Sequence, residues 1–311
     1  MFISGCFQGR VLLSAAKSRS LAGAIAAVFL SGPIAARAAD RILIMTKTAA
    51  FREDNIAPTR LALKNFFELK GLAVDTTENA ALFTDSTLAK YKAVVFLKTS
   101  GDILDPSQQT AFEKFFQAGG GFLGIHSALD TEYDWPFYGK LIGGAWYVNL
   151  GGDSQTQQVI VIEDTVDIST AGLPRRWTRT DEIYNFKANP RAAKDPAVHV
   201  LVTVDGSSYK NGTAGADHPM SWYTAYQGGR SWVTAMGHVT AAYSDPLFLG
   251  HLWGGMQYVL KRSPTAAAFP GRDGKRSGAS GPTARDRKRF TPDGRNLSKA
   301  APIRIVRFSR P

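Results

Sequence analysis

Residues 119–134 read GGGFLGIHSALDTEYD, and the parsing of this stretch decides the fold. Three glycines let the backbone pack closely. Phe122, Leu123 and Ile125 then make a short apolar run without alternation, the mark of a strand buried on both faces. The run breaks at His126-Ser127-Ala128. A polar residue on the turn after a parallel strand stands at the carboxyl edge of a sheet, where open α/β folds place their ligands. His126 is therefore the first candidate for a functional side chain. Asp130, Glu132, Tyr133, Asp134 and Trp135 follow at once, a mixture that suits a ligand-contacting loop better than a plain connector.

Upstream, residues 41–46 (RILIMT) form another unalternating apolar run, and 46–52, with Lys47 and Thr48, make the loop leaving its carboxyl end. Pro58 sits in the first turn of a helix that reaches about Lys70, with Leu61, Phe66 and Leu69 on one face. Ala73–Thr77 and Ala93–Leu97 read as strands, and Pro106–Gln117 as a helix that turns Phe112, Phe115 and Phe116 toward the sheet. Strands alternating with helices imply a parallel sheet covered on both sides, the α/β class, with 122–125 as its fourth strand. Downstream the pattern loosens. Residues 135–144 suggest a short helix, and 157–162, 199–204, 219–223 and 231–235 suggest strands. Residues 172–189 lack periodicity and read as a long polar and aromatic loop of the kind that carries function. Asp245 is expected to cap a final amphipathic helix to about Leu260.

Composition sets the outer limits. With 311 residues and 44% hydrophobic side chains, the chain suits one domain of about 220 residues plus appendages. Residues 1–39 hold Arg10, Lys17, Arg19 and Arg37, no acid, and an apolar stretch from Leu21 to Ile34. That is the layout of a signal peptide, with too short an apolar part for a membrane span. Export to the periplasm or medium is the expectation. Cys6, the only cysteine, lies in this leader, so the mature chain would hold no thiol. The sequence pI of 9.7 invites a nucleic-acid reading, but the charge is peripheral. Residues 261–311 carry 14 Lys and Arg against 3 acids, whereas 40–260 carries 19 against 23. The tail is expected to be basic and disordered, the domain spans 40–260, and no nucleic-acid partner is expected.

Of the five histidines, His126, His218 and His238 follow apparent strand ends or lie in Gly-rich loops, and such imidazoles can move a proton or bind a metal. His199, inside VHVLVTV, and His251, on a helix, read as structural. Asp181, Glu182 and Asp217 sit in aromatic loops where burial can tune a carboxyl, and Glu182 is the candidate for a general acid/base or a metal ligand. Its alternative is a simple pair with Arg175 or Arg179. Trp177, Tyr184, Trp222 and Tyr243 offer flat faces for a sugar ring, with core packing as the alternative for each. Ser127, Glu132, Tyr133 and Asn185 complete the binding candidates, with Lys47, Thr48, Asp181 and Asp217. No H-x-x-x-H or H-E-x-x-H occurs, so a divalent metal is allowed and not specified. Phosphate loops are absent as well. The strand and turn around Gly124–Ala128 have the layout of a nucleophile elbow with histidine at the apex, so acyl-enzyme chemistry is not expected.

Five ordered blocks carry a family likeness: MTKTAAFR at 45–52, GGGFLGIHSALDTEYDWPFYG at 119–139, RRWTRTDEIYN at 175–185, ADHPMSW at 216–222 and WVTAMGHVTAAYSDPLF at 232–248. The chain resembles the ThuA-like, or trehalose-utilisation, family. The resemblance implies a three-layer α/β/α fold related to the flavodoxin-like class I glutamine amidotransferases, with His126 in the place of the amidotransferase cysteine. It also implies a role in disaccharide or glycoside catabolism, on 3-keto sugars made by a partner oxidoreductase. Members commonly read F-R-H-D where this chain has Phe51-Arg52-Glu53-Asp54, and carry a His-Pro near residues 143–153 and an Asp-His-Pro near 166–168 that this chain lacks. These departures leave a non-catalytic carbohydrate-binding module, or an altered family member, as the alternative to a sugar enzyme. A scaffold that uses the basic tail is a third reading.

Overall fold

The computed structural model describes residues 38–210 and 215–261. The expected leader (1–39) and basic tail (261–311) fall almost wholly outside these residues. In chain order the elements are β1 (Arg41–Met45), α1 (Ile56–Leu69), β2 (Ala73–Thr77), α2 (Asp85–Leu88), β3 (Ala93–Leu97), α3 (Pro106–Gln117), β4 (Gly121–Ile125), α4 (Pro136–Leu141), β5 (Tyr147–Gly152), β6 (Gln157–Ile162), β7 (Arg176–Thr180), β8 (Ile183–Phe186), β9 (His199–Val204), β10 (Pro219–Tyr226), β11 (Gly229–Thr234) and α5 (Pro246–Val259). Nine strands form one sheet in the order β2-β1-β3-β4-β11-β10-β9-β6-β7, and β5 pairs with β8 beside it.

From β2 to β11 every pairing is parallel, and from β11 to β7 every pairing is antiparallel. The parallel half is the α/β unit expected from the sequence. Its central strands β3 and β4 lack polar side chains because helices cover both faces, and their residues are all buried. Alternation across β4 shows the two layers. A side chain at Gly121 would meet the Val259 carbonyl of α5 at 2.8 Å, which is why this position is glycine. Phe122 points the other way, edge-on to Phe112 of α3 at 6.0 Å between centroids. A Phe112→Ala cavity in this aromatic cluster would cost about 3–5 kcal/mol.

Three sequence expectations are corrected. In α1 the inward residues are Ile56, Thr59, Leu63 and Phe67, whereas Leu61 and Leu69 are exposed. At about 100° per residue Thr59, Leu63 and Phe67 share one face, and Leu61 and Leu69 fall on the far side, so apolar type alone marked the wrong stripe. Residues 172–189 are not a featureless loop, since β7 and β8 lie within them. β7 alternates exposed and buried residues as an edge strand, with polar Arg179 among its inward residues, which hid the period. The helix α5 is not amphipathic, because ten of its fourteen residues are buried. Its cap is as expected: Pro246 opens it and the Asp245 carboxylate accepts from the Leu247 N–H at 2.9 Å. No helix among the described residues is long and apolar enough to cross a membrane.

At the carboxyl edge of the parallel strands the backbone is forced into unusual turns. Lys98 follows β3 at φ 52°, His126 follows β4 at φ 56°, and Glu132 lies at φ 54°. Such left-handed conformations are unfavourable for side chains with a Cβ and concentrate where structure around them fixes a functional geometry.

Candidate functional site

His126 leaves β4 in the left-handed conformation and opens a 3-10 turn, His126–Asp130, so the elbow expected from the sequence is present. The ring is fully buried. Its Nδ1 lies 3.0 Å from the Ala235 carbonyl, which can only accept, so Nδ1 carries the proton and Nε2 presents its lone pair. That lone pair faces His238 Nδ1 at 3.1 Å, Glu182 Oε2 at 3.2 Å and Glu53 Oε1 at 3.4 Å. His238 Nδ1 in turn lies 3.3 Å from both Glu53 Oε2 and Glu182 Oε2. Glu53, His126 and His238 thus each bring a ligand atom within 4.8 Å of the others.

These spacings have a physical consequence. Lone pairs and carboxylate oxygens that face each other at 3.1–3.4 Å repel unless a proton on His238 Nδ1 or a cation lies among them. Glu53, His126 and His238 form the mutually close set, and Glu182 Oε2 adds contacts of 3.2 Å to His126 Nε2 and 3.3 Å to His238 Nδ1. A divalent metal ion is one species that fits there. Two imidazoles and two carboxylates suit zinc or a neighbouring first-row ion. The His126 Nδ1–carbonyl bond is the support that metal-binding imidazoles usually have.

Electrostatics point the same way. Burial pushes the His126 pKa down, but Glu53 and Glu182 overcome it and the net direction is up, against opposition from Lys98. Burial pushes the Glu182 carboxyl up, yet hydrogen bonding and charge from the His126 and His238 rings hold it at about 2. The cluster therefore attracts positive charge. One side is open: 22% of the His238 side chain and 12% of that of Glu182 are exposed.

Each ligand comes from a different segment. Glu53 follows β1, His126 follows β4, Glu182 sits in the β7–β8 turn and His238 follows β11. Asp181 ties the last two together. Its fully buried carboxylate accepts from the N–H groups of Glu182 (3.0 Å), Gly237 (2.9 Å), His238 (3.0 Å) and Val239 (3.3 Å), and pairs with Arg179 at 2.7 Å. Gly237, at φ 110°, makes the bend that aims these N–H groups. The Tyr243 hydroxyl closes the same loop on the Gly237 carbonyl at 3.0 Å.

The remaining candidates divide by position. Tyr184 belongs to the site: its ring stacks on His126 at 4.6 Å and its hydroxyl lies 3.0 Å from Nε2. Ser127 donates to Glu53 Oε1 at 3.0 Å. His218 lies one layer behind, its Nε2 on the Tyr184 carbonyl (2.8 Å) and its Nδ1 on the Tyr209 hydroxyl (2.5 Å), with its pKa lowered by burial. It supports Tyr184 and stands outside the ligand set. Trp222 is fully buried against Phe186, Trp177 is covered by the Arg179 guanidinium, and Asp217 pairs with Arg191. Glu132 holds the Ile103 and Leu104 N–H groups, and Lys47 donates to the Ile103 carbonyl at 2.7 Å. Thr48 accepts from Arg52, and Asn185 donates to Asn149 at 2.8 Å. Tyr133 bonds Asp130 and the Tyr147 carbonyl at the rim. His199 and His251 are structural, on Asp164 and between Ser169 and Ser221.

Two residues escaped the sequence reading. Glu53 supplies a ligand, and Lys98 is buried beneath it, yet both follow parallel strands as His126 does. The rule that selected His126 reaches them when it is applied to β1 and β3.

The fold and these positions can be set beside known proteins. The family profile described as ThuA, trehalose utilisation, matches residues 41–259. No curated protein matches the chain. Among solved structures, the chain is similar to a ThuA-like protein from Bacteroides uniformis, at 22% identity and TM-score 0.60 over 72% of this chain and 93% of that one. A ThuA-like protein from Parabacteroides merdae gives 20% identity and TM-score 0.58 over 73% and 92%. At these identities the structures speak for the fold, and it is the profile match over most of the chain that establishes the conclusion: this protein belongs to the ThuA trehalose-utilisation family, with the carbohydrate-related role that the family description carries.

Proposed function

We propose that the protein is an exported enzyme of sugar catabolism that uses the Glu53, His126, Glu182 and His238 cluster, loaded with a divalent cation, on a keto-sugar or glycoside. The observation that carries the proposal is the meeting of the His126 and His238 rings with the Glu53 and Glu182 carboxylates at 3.1–3.4 Å, with His238 and Glu182 on its partly exposed side. The bound ion would polarise a sugar carbonyl or acidify a water molecule. The chain's own residues do the rest. Ala235 fixes the His126 tautomer, Asp181 fixes the His238 loop, and the Tyr184 hydroxyl stands 3.0 Å from the His126 ring, where it can hold a substrate oxygen or relay a proton. Partly exposed Glu182 and His238 face the incoming sugar. Proton transfer beside the carbonyl, lyase cleavage and hydrolysis all use this arrangement, and a partner sugar oxidoreductase would supply the ketone. Export is supported by the basic, then apolar pattern of residues 1–39.

The test joins metal analysis of the purified protein with turnover of 3-keto-trehalose and 3-keto-glucosides by wild type and His126→Ala. Stoichiometric metal and a loss of turnover in the variant are expected. Equal rates would remove His126 from the chemistry. Sugar binding by calorimetry without turnover would support the binding-module alternative.

A further inference from the structure

Lys98 is a charged side chain with no exposed surface, and the chemistry above makes no use of it. It stands at the tip of β3 in the left-handed conformation, a backbone state that a lysine adopts only when something holds it there. Its Nζ donates to Glu53 Oε2 at 2.6 Å, Asn55 Oδ1 at 2.6 Å and the His238 carbonyl at 2.5 Å. An ammonium has three protons, and here three oxygens take them. Asn55 completes the knot, since its Nδ2 donates to the same His238 carbonyl at 2.7 Å.

We propose that Lys98 is a positioning residue for the ligand cluster, a buried ammonium that sets the Glu53 carboxylate and the backbone of His238 against each other. The proposal rests on the metal-site reading and deepens it. Glu53 and His238 come from loops after β1 and β11, and β3 and β4 separate those two strands in the sheet. No strand pairing holds the two loops in register. The ammonium reaches both. It occupies Glu53 Oε2 while Ser127 occupies Oε1, so each carboxylate oxygen keeps its remaining lone-pair direction for the cluster.

The experiment uses the purified full chain, stripped of metal, with Co2+ and Zn2+ as probes. Lys98→Met is expected to weaken Co2+ binding by about 10–100-fold, the usual loss when a group supporting a metal ligand is removed. It should also alter the cobalt absorption bands. In the metal-free protein it should move the ring NMR signals of His126 and His238 and leave those of His199, His218 and His251 in place. A variant that is less heat-stable but keeps wild-type ring signals, with Co2+ affinity within twofold of wild type, shows a merely structural lysine and overturns the proposal. Should Lys98→Met fail to fold, Asn55→Ala, at a partly exposed position, removes one arm of the same knot. It should move the His238 signals and weaken Co2+ binding by a smaller factor, and unchanged signals and affinity overturn the proposal. A wild-type protein that takes up neither Co2+ nor Zn2+ refutes the metal reading, and the metal-free ring signals then decide the role of Lys98 by themselves.

Discussion

Replacing Asp181 by asparagine alters one atom of a buried side chain and tests how the site is held. The Oδ1 contacts to Glu182, His238 and Val239 can survive in the amide. At Oδ2 an NH2 group would face the Gly237 N–H at 2.9 Å and the Arg179 guanidinium at 2.7 Å, donor against donor in both cases. Flipping the amide is worse, because it opposes three N–H groups. The loss of one member of a buried ion pair costs about 3–5 kcal/mol, since its partner is left charged and unpaired. An N–H without an acceptor adds about 1–3 kcal/mol, but neighbouring losses relax together and do not sum. The expectation is a destabilisation of about 4 kcal/mol, a large part of the 5–15 kcal/mol that holds a typical domain. Urea titration of the metal-free protein, followed by tryptophan fluorescence, measures it without linkage to bound metal. The freed 237–239 loop should also weaken Co2+ binding at least tenfold. A change in stability below about 1 kcal/mol with unaltered Co2+ affinity would refute Asp181 as the anchor of this loop.

Two further outcomes are expected. Burial lowers the pKa of His251 from 6.5 to about 4, so the unfolded chain takes up a proton before the folded one does. This contribution to stability is complete above pH 6.5 and is lost as the pH falls toward 4, by about 3 kcal/mol in all. Urea titrations of wild type and His251→Gln across that window should show the slope in wild type and a flatter profile in the variant. Phe51 is an exposed aromatic ring (73%) two residues from Glu53 in the sequence, and the proposed sugar would use it as a stacking face. Phe51→Ala should raise KM for a keto-glycoside by about 2–10-fold with kcat and stability little changed, and an unaltered KM excludes the stacking role.

The parallel half of the sheet was legible because a strand covered on both faces must be apolar where it is covered, and ILIM after Arg41, AVVFL and GFLGI are. The same logic located His126. The β5–β8 pair and the edge strand β7 were hidden, since their residues are chosen for the site and for solvent: Asn149, Tyr184 and Asn185 serve contacts across the pair, and Arg179 turns inward to reach Asp181. His218 shows the limit of reasoning from residue type and loop context. It lies close to the cluster in the fold, yet its ring nitrogens are taken by the Tyr184 carbonyl and the Tyr209 hydroxyl. Only the three-dimensional contacts separate an imidazole that supports from one that ligates.

The most telling residue is at one of the three places where this chain departs from the pattern that its resemblance to the family implies. Where relatives commonly read histidine, Glu53 stands, and a missing ligand would argue for an inert copy. The structure places its carboxylate 3.4 Å from His126 and 3.3 Å from His238, so an anionic oxygen donor joins the cluster from this position. A buried charge of that kind needs a partner, and Lys98 is in contact with it at 2.6 Å. The two residues therefore form one unit, which leads to an unintuitive expectation. Glu53→His, which restores the commoner family residue, should destabilise the metal-free protein by about 3–5 kcal/mol because it strands the Lys98 ammonium in the interior. Glu53→His combined with Lys98→Met should recover most of that loss, a coupling that a double-mutant cycle in urea reads directly. Additive losses in the cycle would mean that glutamate and lysine are independent, and that the departure from the family pattern at Glu53 is uncompensated.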